Sequence, residues 1–309
     1  MIVAIIGKGS IGKRHGENLR KIGHNVFYVR TKKSKRKNEI SFLEISNKID
    51  FFIISNPTSL HLSTVQKIEK FKKPILVEKP LSHKYNLYQK KLSRNENIFV
   101  GYQMRYDPRI NFLKKLIQKN KKYYTNITWL TNMPDWHKNE NYFKSYASKK
   151  NLGGGASLTL SHEIDLAYYI FGKVKSVNVV NLKNTLKIDV EDKISICLKH
   201  YNGSVSNLYL NFSSKYYERR IEVYDTKSKL IYDFNKNYIC KYTNLNKKKY
   251  KCPVKKDEIY LFEMIDLINS MKSDKKKNCR INIRNIFHTQ EILNKIMKKI
   301  PLLKYNKIN

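Results

Sequence analysis

Short apolar runs alternate with amphipathic stretches through the first hundred residues. Ile2–Ile6 is an aliphatic run ending at a glycine, the pattern of a strand buried on both faces. Residues Ile11–Ile22 have helical spacing, and Gly23 supplies a stop. Asn25–Val29, Phe51–Ser55, Pro74–Val77 and Ile98–Tyr102 read as further strands, and Asn56-Pro57 opens a turn into a helix that ends near Lys70. Strands and helices alternating at this spacing predict a parallel, doubly wound sheet.

The pattern changes after residue 120. Asn126–Leu130, Val174–Asn181, Ile194–Leu198, Ser204–Asn211, Ile221–Tyr224 and Lys229–Asp233 all read as strands, with few helices between them. Asn202-Gly203 is a hairpin signal. Helices are expected over Leu160–Phe171, Ile259–Met271 and Ile286–Lys299, and the Lys-rich stretches 247–256 and 272–280 read as exposed loops. The expected fold class is therefore α/β: a Rossmann domain over residues 1–120, then an α+β domain with a large, mostly antiparallel sheet over residues 121–309.

Gly7-Lys8-Gly9-Ser10-Ile11-Gly12 is a G-x-G-x-x-G placed between a buried strand and a helix, the context in which the motif binds a dinucleotide. Gly7 would make the tight turn, Gly9 would admit a pyrophosphate, and Gly12 would let helix and strand pack closely. The helix start at Ser10 and Ile11 would present N–H groups to the anion. Enzymes that use NAD place an acid at the end of the second strand; here stand Arg30, Thr31, Lys32 and Lys33. A guanidinium and a hydroxyl suit a 2′-phosphate, so NADP(H) is favoured, with NAD(H) the alternative.

The formal charge of +37 draws attention to anionic partners, but the lysines are scattered and arginine is scarce. That pattern reads as composition rather than a nucleic-acid surface, and leaves a field that favours anionic small molecules. No apolar stretch is long enough to span a bilayer. The N-terminus has no basic region ahead of its short apolar run, and the cysteines form no CxxC pair. A cytoplasmic protein with reduced thiols and no metal site is expected.

Four segments together resemble the Gfo/Idh/MocA family of sugar-type oxidoreductases. They are the glycine motif followed by His15, then Ile54-Ser55-Asn56-Pro57-Thr58-Ser59-Leu60-His61, then Val77-Glu78-Lys79-Pro80-Leu81-Ser82, and Gly153-Gly154-Gly155 with His162-Glu163-Ile164-Asp165. Gly101-Tyr102-Gln103-Met104-Arg105-Tyr106 also fits. The match runs in register over roughly residues 1–172. A stretch from Asp135-Trp136-His137 through Tyr142 and Tyr146 is similar to a branch associated with bacterial surface-glycan and sialic-acid-like sugars.

The resemblance implies hydride transfer between a nicotinamide and a sugar or nucleotide-sugar hydroxyl or carbonyl. It implies Lys79 as the group holding the reacting oxygen, His162 as proton acceptor or donor and Asp165 as its companion. Asn56, Pro57, His61, Glu78 and Lys79 would line the cofactor. Arg105, Trp136, His137, Tyr146 and Thr159 would face substrate, with Thr159 standing where many relatives carry an acid. The triple glycine reads as a close approach of backbone to ligand. A homo-oligomer built through the outer face of the C-terminal sheet is also implied. A non-catalytic dinucleotide-binding regulator or scaffold is the competing reading.

Overall fold

The structure is a computed structural model that describes residues 1–30, 38–44, 48–118, 120–136, 141–181, 184–236 and 238–300. The chain forms two compact units, Met1–Gln103 with Lys256–Phe287, and Met104–Lys255 with His288–Asn309. The change of unit thus falls at residue 103 rather than 120, and a later segment returns to the first unit. Sequence continuity hides such a return.

In the first unit the elements run β1 (Ile2–Ile6), α1 (Ser10–Lys21), β2 (Asn25–Arg30), β3 (Glu39–Ser41), β4 (Phe51–Ile54), α2 (His61–Ile68), β5 (Ile75–Glu78), α3 (Leu87–Leu92) and β6 (Ile98–Gly101). The sheet is parallel, in the order β3-β2-β1-β4-β5-β6. Val3–Ile6, Phe51–Ile54 and Ile75–Val77 are buried, as the continuous apolar runs of interior parallel strands require. The strand order reverses beside β1. In open α/β sheets the crevice at that switch point, off the C-terminal strand ends, is where ligands bind.

The second unit carries α4 (Pro108–Leu116), β7 (Tyr124–Asn132), α5 (Ala156–Thr159), α6 (His162–Phe171), β8 (Val174–Asn181), β9 (Lys193–His200), β10 (Val205–Asn211), β11 (Ser213–Tyr224), β12 (Ser228–Asp233), β13 (Tyr238–Thr243) and β14 (Lys247–Lys251). They form a sheet in the order β14-β13-β12-β11-β7-β10-β9-β8. Only the β10–β7 pair is parallel among the described pairings. Buried residues alternate along β9 and β10, whose hairpin turns at Gly203 with φ +84°. One sheet face packs on α5 and α6. Two long helices follow, α7 (Lys256–Lys272) and α8 (Ile283–Lys299).

The expected loop at 247–256 is a correction. Lys247–Lys251 is the edge strand β14, paired among the described residues only with β13. At an edge the lysines stay solvated and discourage pairing with another chain, so a charged run is compatible with a strand. β13 was not anticipated.

Candidate active site

The glycine loop is built by packing on one side and left open on the other. A Cβ on Gly7, at φ +108°, would lie 2.6 Å from the backbone of Ser55 and Asn56. One on Gly12 would lie 2.1 Å from the Gly7 carbonyl oxygen. Ser55, whose hydroxyl donates to that carbonyl at 2.8 Å, pins the loop to the end of β4, a role sequence reasoning missed. A Cβ on Gly9, in contrast, would meet nothing within 4 Å. No side chain caps the N-terminus of α1, and its first turn holds no acid. Open space over uncapped helix N–H groups, beside exposed Ser10 and half-buried Ile11, fits a pyrophosphate.

The C-terminal ends of β4 and β5 hold the next group. The Asn56 side chain donates to the Thr64 hydroxyl at 2.9 Å. His61 is fully buried, with its ring nitrogens 2.9 Å from the carbonyl oxygens of Pro80 and Asn56. It clips the two strand-end loops together. Glu78, half-buried at the end of β5, meets the buried His15 ring at 2.6 Å. Burial works to raise its pKa, but His15 and then Lys79 outweigh it, and its carboxyl is held below the usual range. Lys79 is half-buried and precedes a cis peptide bond to Pro80.

Beyond β2 the arrangement differs from expectation. Arg30 ends the strand half-exposed, and Thr31 lies outside the described residues. Glu39, at the start of β3, stands opposite Tyr28 in the parallel register. Its buried carboxylate contacts Lys8 of the glycine loop and lies 3.6 Å from Arg30 Nε. An acid therefore does stand beside Arg30, supplied by the third strand.

In the second unit His162 begins α6 and is buried, as is Thr159 at the end of α5. Asp165 does not face the same way as an open catalytic acid would. Its carboxylate takes two hydrogen bonds from Arg105, at 2.8 and 2.7 Å, and one from Thr289 at 2.7 Å. All three side chains are buried. Arg105, expected on the substrate side, and Asp165, expected as the catalytic companion of His162, instead pair with each other and lock α6 to its surroundings. Glu163 is likewise fully buried and receives Arg219 Nε at 2.6 Å. The Arg219 guanidinium lies 3.8 Å and 4.2 Å from the ring centroids of Trp129 and Phe234. Sequence reasoning missed Arg219 because its partner lies fifty-six residues away.

The triple glycine also has a cause within the protein. A Cβ on Gly154 would sit 2.3 Å from the Ala147 carbonyl oxygen, and one on Gly155 2.6 Å from the Glu191 carboxylate. Glu191 is buried and accepts hydrogen bonds from the Ser157 amide and hydroxyl, at 3.0 and 2.6 Å, at the start of α5. Burial pushes its pKa up despite those bonds. Trp136 lies against the core, with its N–H donated to Thr131 at 2.8 Å and its ring edge-on to Phe212. Tyr146 is exposed, and His137 lies outside the described residues.

Among the described residues no helix is long and apolar enough to cross a membrane, and no group of His, Cys, Asp and Glu could hold a metal ion.

Residues 122–231 match the family model described as the GFO/IDH/MocA C-terminal domain. The myo-inositol 2-dehydrogenase of Thermotoga maritima is 24% identical over 260 residues, 75% of each chain. An NAD binding oxidoreductase from Klebsiella pneumoniae superposes with a TM-score of 0.84 at 14% identity, over 98% of both chains. The WlbA dehydrogenase from Bordetella pertussis, solved with NADH and UDP-GlcNAcA, superposes at 0.77 and 17% identity, over 97% of this chain and 96% of its own. The fold, the glycine loop and the domain match define a dinucleotide-dependent oxidoreductase. Residues 122–231 thus carry a GFO/IDH/MocA C-terminal domain, and over three quarters of its length the chain is similar in sequence to a sugar-alcohol dehydrogenase.

Proposed function

We propose that the protein is an NAD(H)-dependent dehydrogenase acting on a hydroxyl of a sugar or nucleotide sugar. The observation that carries the reading is the glycine loop, where Gly7 and Gly12 are fixed by packing while Gly9 faces open space above an uncapped helix. Gly9, Ser10 and Ile11 would hold the pyrophosphate, and Asn56, Pro57 and Glu78 the remainder. Bound nicotinamide supplies the hydride acceptor or donor. The Lys79 ammonium holds the reacting oxygen and stabilises its alkoxide character, at the strand end where open α/β sheets place ligands. His162 accepts the hydroxyl proton in oxidation and returns it in reduction. Thr159 orients without adding charge. Asp165 and Arg105 serve by fixing α6.

NAD(H) rather than NADP(H) is proposed because Arg30, the cation expected to bind a 2′-phosphate, lies beside the buried Glu39 carboxylate, which also holds Lys8. The named cofactors of solved neighbours, NADH in WlbA among them, support the same choice. WlbA's UDP-GlcNAcA, with the +37 charge of this chain, supports an anionic nucleotide sugar, and the resemblance of the stretch from Asp135 through Tyr146 supports a place in surface-glycan synthesis. The outer face of the second unit's sheet, with Asn126, Ser195 and Tyr209, is proposed as an oligomer surface.

A panel of polyols, free sugars and UDP-sugars, uronic acids included, tests the substrate class. Growth of NADH fluorescence with one of them and NAD⁺ is expected. NADH binding with no turnover on any sugar class sinks the reading.

A further inference from the structure

We infer that Glu39 sets the cofactor preference of this chain, acting from the third strand as the counter-charge of Lys8 and Arg30. The inference rests on the proposed dinucleotide function and adds a residue to it. Lys8 lies between Gly7 and Gly9, so its side chain leaves the loop that would cradle the pyrophosphate. Arg30 ends β2, beside β1 in the sheet. Among the described residues these two cations flank the end of β2, the region that holds the adenosine ribose in this fold, and a 2′-phosphate there would carry nearly two negative charges.

The structure does not leave the pair available. Glu39 has a side chain only 5% exposed, and its two oxygens face different cations, Oε1 toward Lys8 and Oε2 toward Arg30. The Lys8 ammonium is further placed 5.1 Å from the Tyr28 ring centroid. Tyr28 is the residue that Glu39 opposes across β2 and β3, so strand register delivers the carboxylate to this point. One carboxylate shared between two cations halves the local positive charge. A 2′-phosphate would have to displace it or accept its repulsion, whereas an unphosphorylated ribose meets neither demand. The acid absent from the end of β2 is thus replaced functionally by one nine residues beyond Arg30.

Titration of NADH and NADPH by their fluorescence tests the inference without any substrate. The wild-type protein is expected to bind NADH more tightly. Glu39→Gln frees both cations and should shift the NADPH:NADH affinity ratio toward NADPH by about ten- to a hundredfold, the effect of one regained charge-assisted contact. Glu39→Asp should keep the NADH preference. Adding Lys8→Ala and Arg30→Ala to Glu39→Gln should erase the gain. An unchanged ratio in Glu39→Gln, or a wild-type preference for NADPH, overturns the inference while leaving the dinucleotide reading intact. Failure of the wild-type protein to bind either cofactor overturns both. Should Glu39→Gln not fold, Arg30→Ala carries the test. It leaves Glu39 less compensated and should weaken NADPH more than NADH; equal weakening overturns the inference.

Discussion

Replacing Gly9 by valine separates what the glycine loop does for the fold from what it does for a ligand. The backbone there has φ −74° and ψ −174°, open to any residue, and a Cβ meets nothing within 4 Å. Folding should be unharmed, and reduced freedom of the unfolded chain would add about 0.4–1 kcal/mol of stability by analogy with Gly→Ala replacements. The new side chain fills the space proposed for the pyrophosphate. Two lost charge-assisted hydrogen bonds at about 1.5–3 kcal/mol each amount to roughly 3–6 kcal/mol. Affinity for NADH should therefore fall about 10²- to 10⁴-fold. Gly12→Val is the contrast, because its Cβ would lie 2.1 Å from the Gly7 carbonyl oxygen and the fold must yield. Thermal melting and an NADH titration read both variants. Wild-type affinity in a folded Gly9→Val would refute the reasoning, since the open space would then not be the anion's.

Three further outcomes are expected. Lys79→Ala and His162→Ala should each keep NADH affinity while kcat falls about a hundred- to ten-thousandfold, read by steady-state kinetics on a substrate from the panel. Asp165→Asn should lower stability by about 3–5 kcal/mol in denaturant titration, because it strips the buried Arg105 of its counter-charge, with kcat per folded molecule near wild type. Glu263 on α7 is fully buried with neither carboxylate oxygen hydrogen-bonded; burial first, and then the charge of Glu78, hold its pKa well above the ordinary value. A carboxyl raised in the folded state contributes fully below the unfolded pKa and progressively less as pH climbs toward the folded one. Glu263→Met should flatten that decline and raise the melting temperature at neutral pH; identical pH profiles of stability would reject the assignment.

The legible parts of this molecule were those written locally. The parallel sheet follows from apolar runs buried on two faces, and the hairpin at Gly203 from its Asn-Gly pair. The glycine loop was legible because strand, turn and helix are contiguous. Contacts that cross the chain were not. Glu39 lies thirty-one residues from Lys8, and only strand register brings them together. The triple glycine is a real close approach, but Gly154 and Gly155 approach Ala147 and Glu191 of the protein itself. His-x-x-Asp correctly places two residues on one helix, yet periodicity is blind to Arg105 and Thr289, which claim the aspartate. The lysines of β14 disguised a strand because an edge position tolerates charge that an interior strand would not.

The central claim is hydride transfer between a sugar carbon and the nicotinamide. It is tested most directly with a substrate from the panel that carries deuterium on the carbon to be oxidised. After turnover with NAD⁺, the account predicts one deuterium on the nicotinamide C4 of the NADH formed, and a slowed rate if that transfer limits turnover. Product formed with deuterium released to water, and none on the nicotinamide, would contradict it.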